Sequence, residues 1–552
     1  MSQKATLMDK SERERRFATL LEEAKTAKSG ISEYWQKMRD YYDGTHETAK
    51  QTGEFLSSMH LPWIPASVPD GYLHVESQIE AEAPDFEFSA RGDKDAEKAA
   101  LRERVVRYVV HENDLTAKNA VNERRLHLCG SAVWKVAVGM GDFGDAEILI
   151  ENPAPETIFP DPAAATLDEC EYIAVCYRMS AARAVRVFAE DLAREDMSIA
   201  SVLHAKKGKK HIFDEVNEVC DTVEITEFWF RQPTDGEERI GGVPYSYQAG
   251  DIALSICMEG LEIRYVPKFW TKTSYRKYPF AIYQKIPMEG SIWGKSELEP
   301  IIPLIDAADR QLAFAQLNTA FFANDILLYE ENAFAPDSYP ENRPGAIWKL
   351  RPGMSDKVKR LGGLGTENAA HYEIADRYRA MMKETLGNFD FLQGDSATQV
   401  STATGLALLG DYAGKRTEAK NICKKAGFER LYRLIDAMAM EVYSEEKLKA
   451  ITDMDTLPDM MGYVPTLDVS VRVGDGIRNS RSFTLSALEA LCTMDIDAEH
   501  YPMVRAYIGA LGIPERAELI ARLDERFLEE VKREKKRCPQ SGRIIKRRKN
   551  DE

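Results

Sequence analysis

The chain contains 552 residues, of which 73 are Lys or Arg and 90 are Asp or Glu, so its formal net charge is −17. Hydrophobic residues make up 44% of the sequence, enough to bury a sizeable core, which excludes a mainly disordered protein. The length is that of several domains, since one domain typically holds about 100–200 residues. The excess of acidic residues excludes a protein whose whole surface binds nucleic acid, although it is compatible with a protein that only surrounds DNA.

The cysteines and the apolar runs predict a soluble intracellular protein. The eight cysteines form no C-x-x-C pair and share no zinc-site spacing with the nine histidines. We therefore expect reduced, packed thiols, and neither a metal nor a cofactor. The polar N-terminus predicts no signal peptide. The longest charge-free apolar run, 311–324, has 14 residues, fewer than the roughly 20 that span a bilayer, so no membrane partner is expected.

The first half of the chain predicts an α+β body. Apolar residues at a three-to-four spacing predict helices over 11–43 and 93–128, whereas 50–90 predicts loop and short strand. Alternating apolar residues then predict a series of strands, with a helix near 180–192 among them. The predicted strands cover 132–138, 146–150, 172–178, 222–230, 252–258 and 262–270.

The second half predicts long helices. The first covers 296–329, and Pro300 and Pro303 in its opening bend or delay its start. A Pro- and Gly-rich insertion over 331–365 follows and holds one strand, 346–350. The remaining predicted elements are a helix at 367–386, a polar loop at 388–400, a helix at about 401–448, a strand at 460–474 and helices over 482–537. The predicted fold class is α+β, mainly helical.

One glycine-rich segment has the spacing of a dinucleotide-binding fingerprint. Residues 139–144 match G-x-G-x-x-G letter for letter. The fingerprint needs a helix after the glycines, because the N-terminus of that helix holds the pyrophosphate. Here a second strand follows, so we predict a hairpin turn.

A second segment, 289–296, ends in Gly-Lys-Ser between a predicted strand and a predicted helix. A phosphate loop needs glycine at the position of Glu289, whose carboxylate would repel phosphate, and Trp293 crowds the loop. We expect Ser296 and Glu299 to form a capping box for the following helix instead.

No motif in the sequence predicts catalysis. It contains no G-x-S-x-G elbow, no H-E-x-x-H helix and no EF-hand loop, and no pair of carboxylates is marked as acid and base. We therefore expect a protein that is not an enzyme.

The order of these elements resembles that of the portal, or head–tail connector, proteins of tailed double-stranded DNA bacteriophages. The resemblance covers nearly the whole chain, and five short segments carry it through their order and spacing. They are Tyr34-Trp35 with Tyr41-Tyr42-Asp43-Gly44; Asn122-Glu123-Arg124-Arg125 with Cys129-Gly130-Ser131-Ala132; Pro155 to Asp161-Pro162; Tyr278-Pro279-Phe280 with Gly290 and Trp293-Gly294-Lys295-Ser296; and Ser401-Thr402-Ala403-Thr404-Gly405.

The resemblance implies a portal fold with wing, stem, clip and crown that closes into a ring oligomer. The implied domains are the wing, 1–295; the first stem helix, 296–330; the clip, 331–365; the second stem helix, 366–387; the tunnel loop, 388–400; the long wing helix with returning strands, 401–480; and the crown with a basic C-terminal tail, 481–552.

The resemblance also implies a function and a set of partners. Family members form a ring of twelve subunits at one capsid vertex, which is the channel for genome packaging and ejection. The implied partners are the major capsid protein and scaffold, the terminase large subunit, the head–tail adaptor, and double-stranded DNA as non-specific cargo. The implied location is the virion, at the head–tail junction, after assembly in the host cytoplasm.

The tunnel loop is the candidate channel surface. From 387 to 414 the chain has no Lys or Arg, so a ring would place only negative formal charge around DNA there. DNA should then slide without sticking, because phosphate affinity comes from Lys and Arg. The candidate channel residues are Asp390, Phe391, Gln393, Asp395, Ser396, Thr398 and Gln399.

Two further groups are candidate contacts. The clip carries Tyr, Trp and Arg, the residue types enriched at binding hot spots, and is expected to bind the adaptor and the terminase. These clip residues are Tyr339, Arg343, Trp348 and Arg351. The C-terminal tail either contacts packaged DNA or scaffold, or is a disordered solubilising tail. Its basic residues are Lys532, Arg533, Lys535, Lys536, Arg537, Arg543, Lys546, Arg547, Arg548 and Lys549.

Two alternatives to a portal stay open on the sequence. The first is an NTP-dependent packaging enzyme, which would rest on Gly294-Lys295-Ser296. The second is another virion or scaffold protein that has long helices but no channel.

Overall fold

The computed structural model describes residues 9–58, 61, 63, 75–76, 79–91, 95–141, 144–197, 222–240, 242–323, 326–336, 349–361, 368–386, 403–454, 457 and 467–472. Its helices are α1 Lys10–Asp43, α2 Glu47–Ser58, α3 Ala96–Glu112, α4 Leu115–Cys129, α5 Ala181–Val187, α6 Ala189–Arg194, α7 Ile302–Ala323, α8 Asn368–Leu386, α9 Ala403–Val442 and α10 Glu445–Thr452. Among the described helices, none is long and apolar enough to cross a membrane.

The strands form antiparallel sheets. The largest has five strands in the order β10-β9-β6-β5-β4, a second has the order β11-β2-β3, and the others described are two-stranded. The strands are β1 Asp85–Ala90, β2 Ser131–Met140, β3 Ala146–Glu151, β4 Ile158–Pro160, β5 Tyr172–Ser180, β6 Thr222–Arg231, β7 Gly236–Ile240, β8 Val243–Tyr247, β9 Ile252–Met258, β10 Leu261–Val266, β11 Phe280–Gln284, β12 Ile286–Pro287, β13 Gly294–Lys295, β14 Ile326–Tyr329, β15 Val358–Leu361 and β16 Leu467–Arg472. The mixture of helices and antiparallel sheets confirms the α+β class.

Helix α1 packs on the five-stranded sheet from one edge to the other. Its apolar side chains contact aromatic residues of the sheet, with Phe17 stacked on Phe228 at a centroid distance of 4.2 Å. At one edge, Glu14 accepts a hydrogen bond from a backbone N–H of β10 (2.8 Å), and at the other Lys28 donates to a carbonyl of β4 (2.5 Å). Since edge strands expose unpaired backbone groups, these two side chains protect both edges.

Helix α9 lies in the main hydrophobic core. Phe428 and Tyr432 are fully buried, and they contact aromatic residues from two sheets. Phe428 lies 6.0 Å from Trp134 of β2, and Tyr432 lies 4.1 Å from Phe86 of β1, measured between ring centroids. The helix therefore joins the three-stranded sheet to the β1–β16 pair.

The predicted thiols are free and packed in the part of the chain that the structure describes. Four of its five free cysteines are buried. Burial raises the pKa of Cys129 and of Cys176 to about 12, so these thiols stay protonated at neutral pH.

Several elements of the first half differ from the predictions. The helix predicted over 93–128 is two helices, because the chain turns at Asn113 and Asp114, and Asp114 adopts a left-handed conformation with φ of 45°. Asp tolerates this region better than most residues. Helix α2 overlaps the start of the predicted loop 50–90 and buries only Ala49 and Leu56, too few apolar residues to give a periodic signal. Strands β4, β7 and β8 were not predicted.

The elements of the second half are shorter than predicted. The helix predicted over 296–329 covers 302–323, after a 3-10 turn at Glu299–Ile301 that confirms the delayed start at the two prolines. The last predicted turn is strand β14, which pairs with β15. The helix predicted to reach 448 ends at 442, because Ser444 starts a new helix by accepting a hydrogen bond from the N–H of Lys447 (3.3 Å).

The β2–β3 hairpin settles the role of the G-x-G-x-x-G segment. The two strands pair antiparallel, and the N–H of Gly144 donates to the carbonyl of Gly141 (3.0 Å) within the turn. A strand follows the glycines instead of a helix, which confirms the predicted turn and leaves no helix N-terminus to hold a pyrophosphate.

The outer edge of β3 is covered by a side chain that imitates a neighbouring strand. Asn113 donates from Nδ2 to the carbonyl of Ile148 (2.8 Å) and accepts at Oδ1 from the N–H of Ile150 (2.8 Å). Asn113 is buried. Its amide therefore satisfies two backbone groups that would otherwise be open to another strand.

Replacing Asn113 with Ala is expected to lower the free energy of unfolding by about 2–3 kcal/mol, because two buried backbone groups lose their partners. The open edge of β3 should also raise aggregation at high protein concentration. Urea denaturation and light scattering measure the two effects. Gln51→Ala is the control, since Gln51 is exposed on α2 and its side chain donates to Glu47 on the same helix (2.7 Å); equal losses from both variants would contradict the prediction.

Candidate assembly surface: the α7–α8 helix pair and its root

Helices α7 and α8 pack side by side and form what we call the helix pair. His371 of α8 bridges two turns of α7, with Nδ1 2.8 Å from Oε1 of Gln311 and Nε2 3.2 Å from Nδ2 of Asn318. Small buried residues, Ala315 on α7 and Ala375 on α8, let the helices approach closely. These contacts fix the register of one helix against the other.

The helix pair also exposes large apolar side chains. Phe314 of α7 is 51% exposed, and on α8 Tyr372 is 49%, Ile374 39% and Met381 44% exposed. Exposing large apolar side chains to water is unfavourable, so a contact that covers them would be stabilising. The helix pair therefore has an apolar surface suited to packing against another chain.

A small sheet, β14–β15, lies between the two helices of the helix pair in the sequence. Leu328 pairs with Lys359 in its register, and Leu328 and Tyr329 are each about half exposed. Tyr329 contacts Phe334 edge-on at 5.0 Å. The predicted contact residue Arg351 lies beside this sheet, exposed, with its backbone N–H donating to the carbonyl of Ala333 (3.0 Å).

The segment that leads into α7, residues 290–301, is called the root. Trp293 of the root packs edge-on against Trp35 of α1 (5.1 Å), and both rings are buried. The Lys28 ammonium lies 4.9 Å from the Trp293 ring and donates to the carbonyl of Pro155 (2.5 Å). Burial lowers the pKa of Lys28 to about 7, although the Glu156 carboxylate acts in the opposite direction. Trp293 thus anchors the root to α1.

The expected capping box at Ser296 is absent, and its hydrogen bonds hold the root to the body instead. Ser296 Oγ donates to the carbonyl of His127 (2.8 Å) and accepts from the N–H of Leu298 (3.1 Å). The N–H of Ser296, which a capping box would give to Glu299, donates to the hydroxyl of Tyr34 (3.0 Å). That hydroxyl in turn donates to Glu299 (3.2 Å). The prediction was wrong because a long-range partner outcompetes the local one.

The Gly-Lys-Ser segment does not have the geometry of a phosphate loop. Gly294 and Lys295 form strand β13, which pairs with β12, and the N–H of Gly294 donates to Ser131 Oγ (2.9 Å). Lys295 lies 3.6 Å from the Glu299 carboxylate. Phosphate loops need backbone N–H groups that face a ligand, whereas the N–H of Gly294 faces a serine of β2.

Helix α7 is also held by His46, which the sequence did not single out, together with Tyr41. His46, between α1 and α2, is buried with Nε2 3.3 Å from Oδ2 of Asp309 and 3.7 Å from Oδ1 of Asp306. Tyr41 stacks on His46 (4.2 Å) and donates to Asp306 (3.1 Å). Two aspartates in an otherwise apolar helix opening were the available signal, because buried charges need partners.

Most sequence-predicted contact residues lie outside the described residues. Only Arg351 of the clip set is described, while Tyr339, Arg343 and Trp348 are not. The tunnel-loop candidates and the basic tail lie outside as well. Within the described ranges, no group of three or more His, Cys, Asp or Glu side chains is placed to hold a metal ion.

Part of the chain matches a known protein family. Residues 72–253 match the family model described as phage P22-like portal protein. No curated protein matches the chain at a significant level. A chain in the structure of the neck of a native GTA particle, computed with C12 symmetry, is 10% identical over 87% of this chain and 93% of that chain, with a TM-score of 0.34. The family match confirms the resemblance to portal proteins over residues 72–253.

Proposed function

We propose that the chain is a portal subunit, which assembles with identical copies into a ring of twelve at one capsid vertex. The ring is the channel for packaging and ejection of double-stranded DNA. The match of residues 72–253 to the P22-like portal family supports the portal role. The apolar surface of the helix pair is the observation that supports assembly with further copies.

The helix pair suits a ring because its two helices expose different apolar residues. Phe314 lies on α7, whereas Tyr372, Ile374 and Met381 lie on α8. A contact between unlike faces of neighbouring copies is heterologous, and it closes into a ring when the rotation between copies divides a full turn. We assign the α7 face of one copy to the α8 face of the next.

The charge of the chain fits DNA as cargo. Twelve copies at −17 each carry a formal charge of about −204, so a protein surface of this kind repels phosphate more than it binds it. The proposed tunnel loop should also repel phosphate, because the chain has no Lys or Arg between 387 and 414. The clip, with Arg351, is proposed to bind the head–tail adaptor and the terminase, and the basic tail to contact DNA or scaffold.

The geometry of the root weighs against the rival packaging enzyme. Gly294 and Lys295 are strand residues, and Lys295 is paired with Glu299. A virion protein without a channel is the remaining alternative, and imaging separates it from a portal.

Purified protein is expected to form rings with a central hole and a mass near 748 kDa, twelve times 62.3 kDa. Mass photometry and negative-stain microscopy measure both properties. Only monomers at several salt concentrations, or compact particles without a hole, would overturn the proposal.

Introducing charge on the helix pair is expected to stop ring formation. Phe314→Glu with Met381→Glu places carboxylates in the apolar contact, which should lower the fraction of rings about tenfold or more. Val243→Glu is the control, because Val243 is a similarly exposed apolar residue (52%) on a different element, β8. Rings at wild-type levels in the double variant would place the contact elsewhere.

A further inference from the structure

Two buried histidines connect the body to the start of α7. His127, in the last turn of α4, has Nδ1 2.6 Å from Oε2 of Glu297 in the root. His46 has Nε2 3.3 Å from Oδ2 of Asp309 on α7. Each histidine side chain is 2% exposed. The two pairs therefore lie where any movement of α7 relative to the body would separate charged or polar groups.

The charge on His46 matters for holding α7, because its neighbours on that helix are carboxylates. Asp306 and Asp309 lie three residues apart on α7, so their carboxylates repel each other, and His46 faces both. A protonated imidazole offsets this repulsion, whereas a neutral one does not. Tyr41, the other titratable group stacked here, stays a neutral hydroxyl, because burial and the Asp306 carboxylate raise its pKa.

The surroundings of His127 are also mainly acidic. Glu297 is its direct partner, and Lys285 Nζ lies 3.9 Å from the same Glu297 oxygen. Glu76, which is paired with Arg124 at 2.7 Å, interacts with the charge of His127 at longer range. Protonation of His127 therefore turns a hydrogen bond into a buried ion pair with Glu297.

We infer that His46 and His127 form a proton-dependent joint between the body and the helix pair. Histidine is the side chain whose charge ordinarily changes between pH 5 and 8. In mild acid both imidazolium groups attract the carboxylates of the root and α7, and the joint tightens. In mild alkali this attraction is lost, and the helix pair moves more freely relative to the body. The joint itself does not depend on the proposed function. Its biological role does: it would let the channel wall move as DNA passes.

Hydrogen exchange measured by mass spectrometry tests the joint. In the full-length wild-type chain, the protection of peptides covering residues 297–310, normalised to intrinsic exchange at each pH, is expected to fall about tenfold from about pH 5.5 to about pH 8. His46→Gln with His127→Gln should reduce this change to about twofold or less. His111→Gln is the matched control, since its histidine is 88% exposed beside Glu112 (3.6 Å), and it should retain the wild-type change.

Each other outcome overturns the joint. A flat wild-type profile contradicts it, and an unchanged profile in the double variant assigns the pH dependence to another group such as Lys28. If the double variant fails to fold, Asp309→Asn keeps the shape of the side chain and removes one carboxylate; it should reduce the change about threefold, and no reduction contradicts the role of His46. Mass photometry on the same samples reports ring formation, so failure of the ring and failure of the joint are distinguished.

Discussion

Replacing Lys135 with Met is expected to lower the free energy of unfolding by about 3–5 kcal/mol, because it leaves a buried carboxylate without its cation. Lys135 lies on β2 of the three-stranded sheet, and its ammonium is 2.7 Å from Glu227 on β6 of the five-stranded sheet. The two side chains are 6% and 8% exposed. The ion pair therefore joins the two largest sheets in a region with little water to take over its charges.

The surroundings of Glu227 make the loss of the lysine severe. Tyr177 donates to Glu227 Oε1 (3.1 Å) and Trp229 Nε1 donates to Oε2 (3.0 Å). These neutral donors orient the carboxylate but do not neutralise it, so its charge would stay buried in the variant. Glu151, the second carboxylate near Lys135 (3.1 Å), is half exposed and would return to water.

A double variant separates the lost charge from the lost packing. Lys135→Met with Glu227→Gln removes both charges. The Gln carbonyl keeps an acceptor for Trp229 Nε1, and the Tyr177 hydroxyl, which can also accept, faces the Gln amide, so at least half of the lost stability should return. Lys449→Met is the surface control, because its partner Glu445 is 66% exposed, and it should change stability by less than about 1 kcal/mol. Urea denaturation measures all three variants, and no recovery in the double variant would refute the explanation.

The pH dependence of this pair has a definite sign. Burial acts to lower the pKa of Lys135, but the Glu227 and Glu151 carboxylates outweigh it and raise the pKa above the ordinary value. A raised lysine pKa means that the folded chain holds this proton more tightly than the unfolded chain. The contribution of the pair is therefore complete below the ordinary lysine pKa and is lost only as the pH rises through the raised value. In Lys135→Met, the free energy of unfolding should therefore depend less on pH in this alkaline range.

Long, periodic elements were predictable, whereas long-range polar pairs were not. Helix α1 begins and ends within one residue of its prediction, because its apolar spacing and Gly44 are local signals. The break at Asp114 and the strand β14 depend on tertiary contacts, which override the helical pattern. Lys135 and Glu227 are separated by 92 residues, and nothing near either one in the sequence indicates the other.

The root shows the same limit at the candidate site. Its Gly-Lys-Ser letters were correctly interpreted as structural, because Glu289 and Trp293 oppose a phosphate site. The predicted partner of the Ser296 N–H, Glu299, was wrong, because the actual partner Tyr34 lies 262 residues away in the sequence. A local rule can exclude a ligand from the residue types present, but it does not identify which distant side chain takes the hydrogen bond.

Replacing Gly130 with Ala is expected to lower the free energy of unfolding by about 2–5 kcal/mol. The loss combines backbone strain with a steric clash against backbone atoms, which cannot rotate away as a side chain can. Gly130 ends α4 with φ of 72°, and an added Cβ would lie 2.4 Å from the backbone carbon of Lys295 in the root. Its carbonyl accepts from the N–H of Lys285 (2.9 Å), so the backbone at Gly130 is fixed from the other side as well.

Gly144→Ala supplies the matched measurement that isolates this contact. Gly144 has φ of 79° in the β2–β3 turn, but an added Cβ meets no described residue within 4 Å, so only the conformational strain of about 1–2 kcal/mol should appear. The excess cost of Gly130→Ala then measures how firmly the end of α4 and the root are packed. We expect that excess to accompany a smaller fraction of rings, because displacing the root displaces α7. Equal losses of unfolding free energy in the two variants would show that the root shifts to make room for the added methyl group. Its position would then be set by Trp293 and Ser296 rather than by the close approach at Gly130.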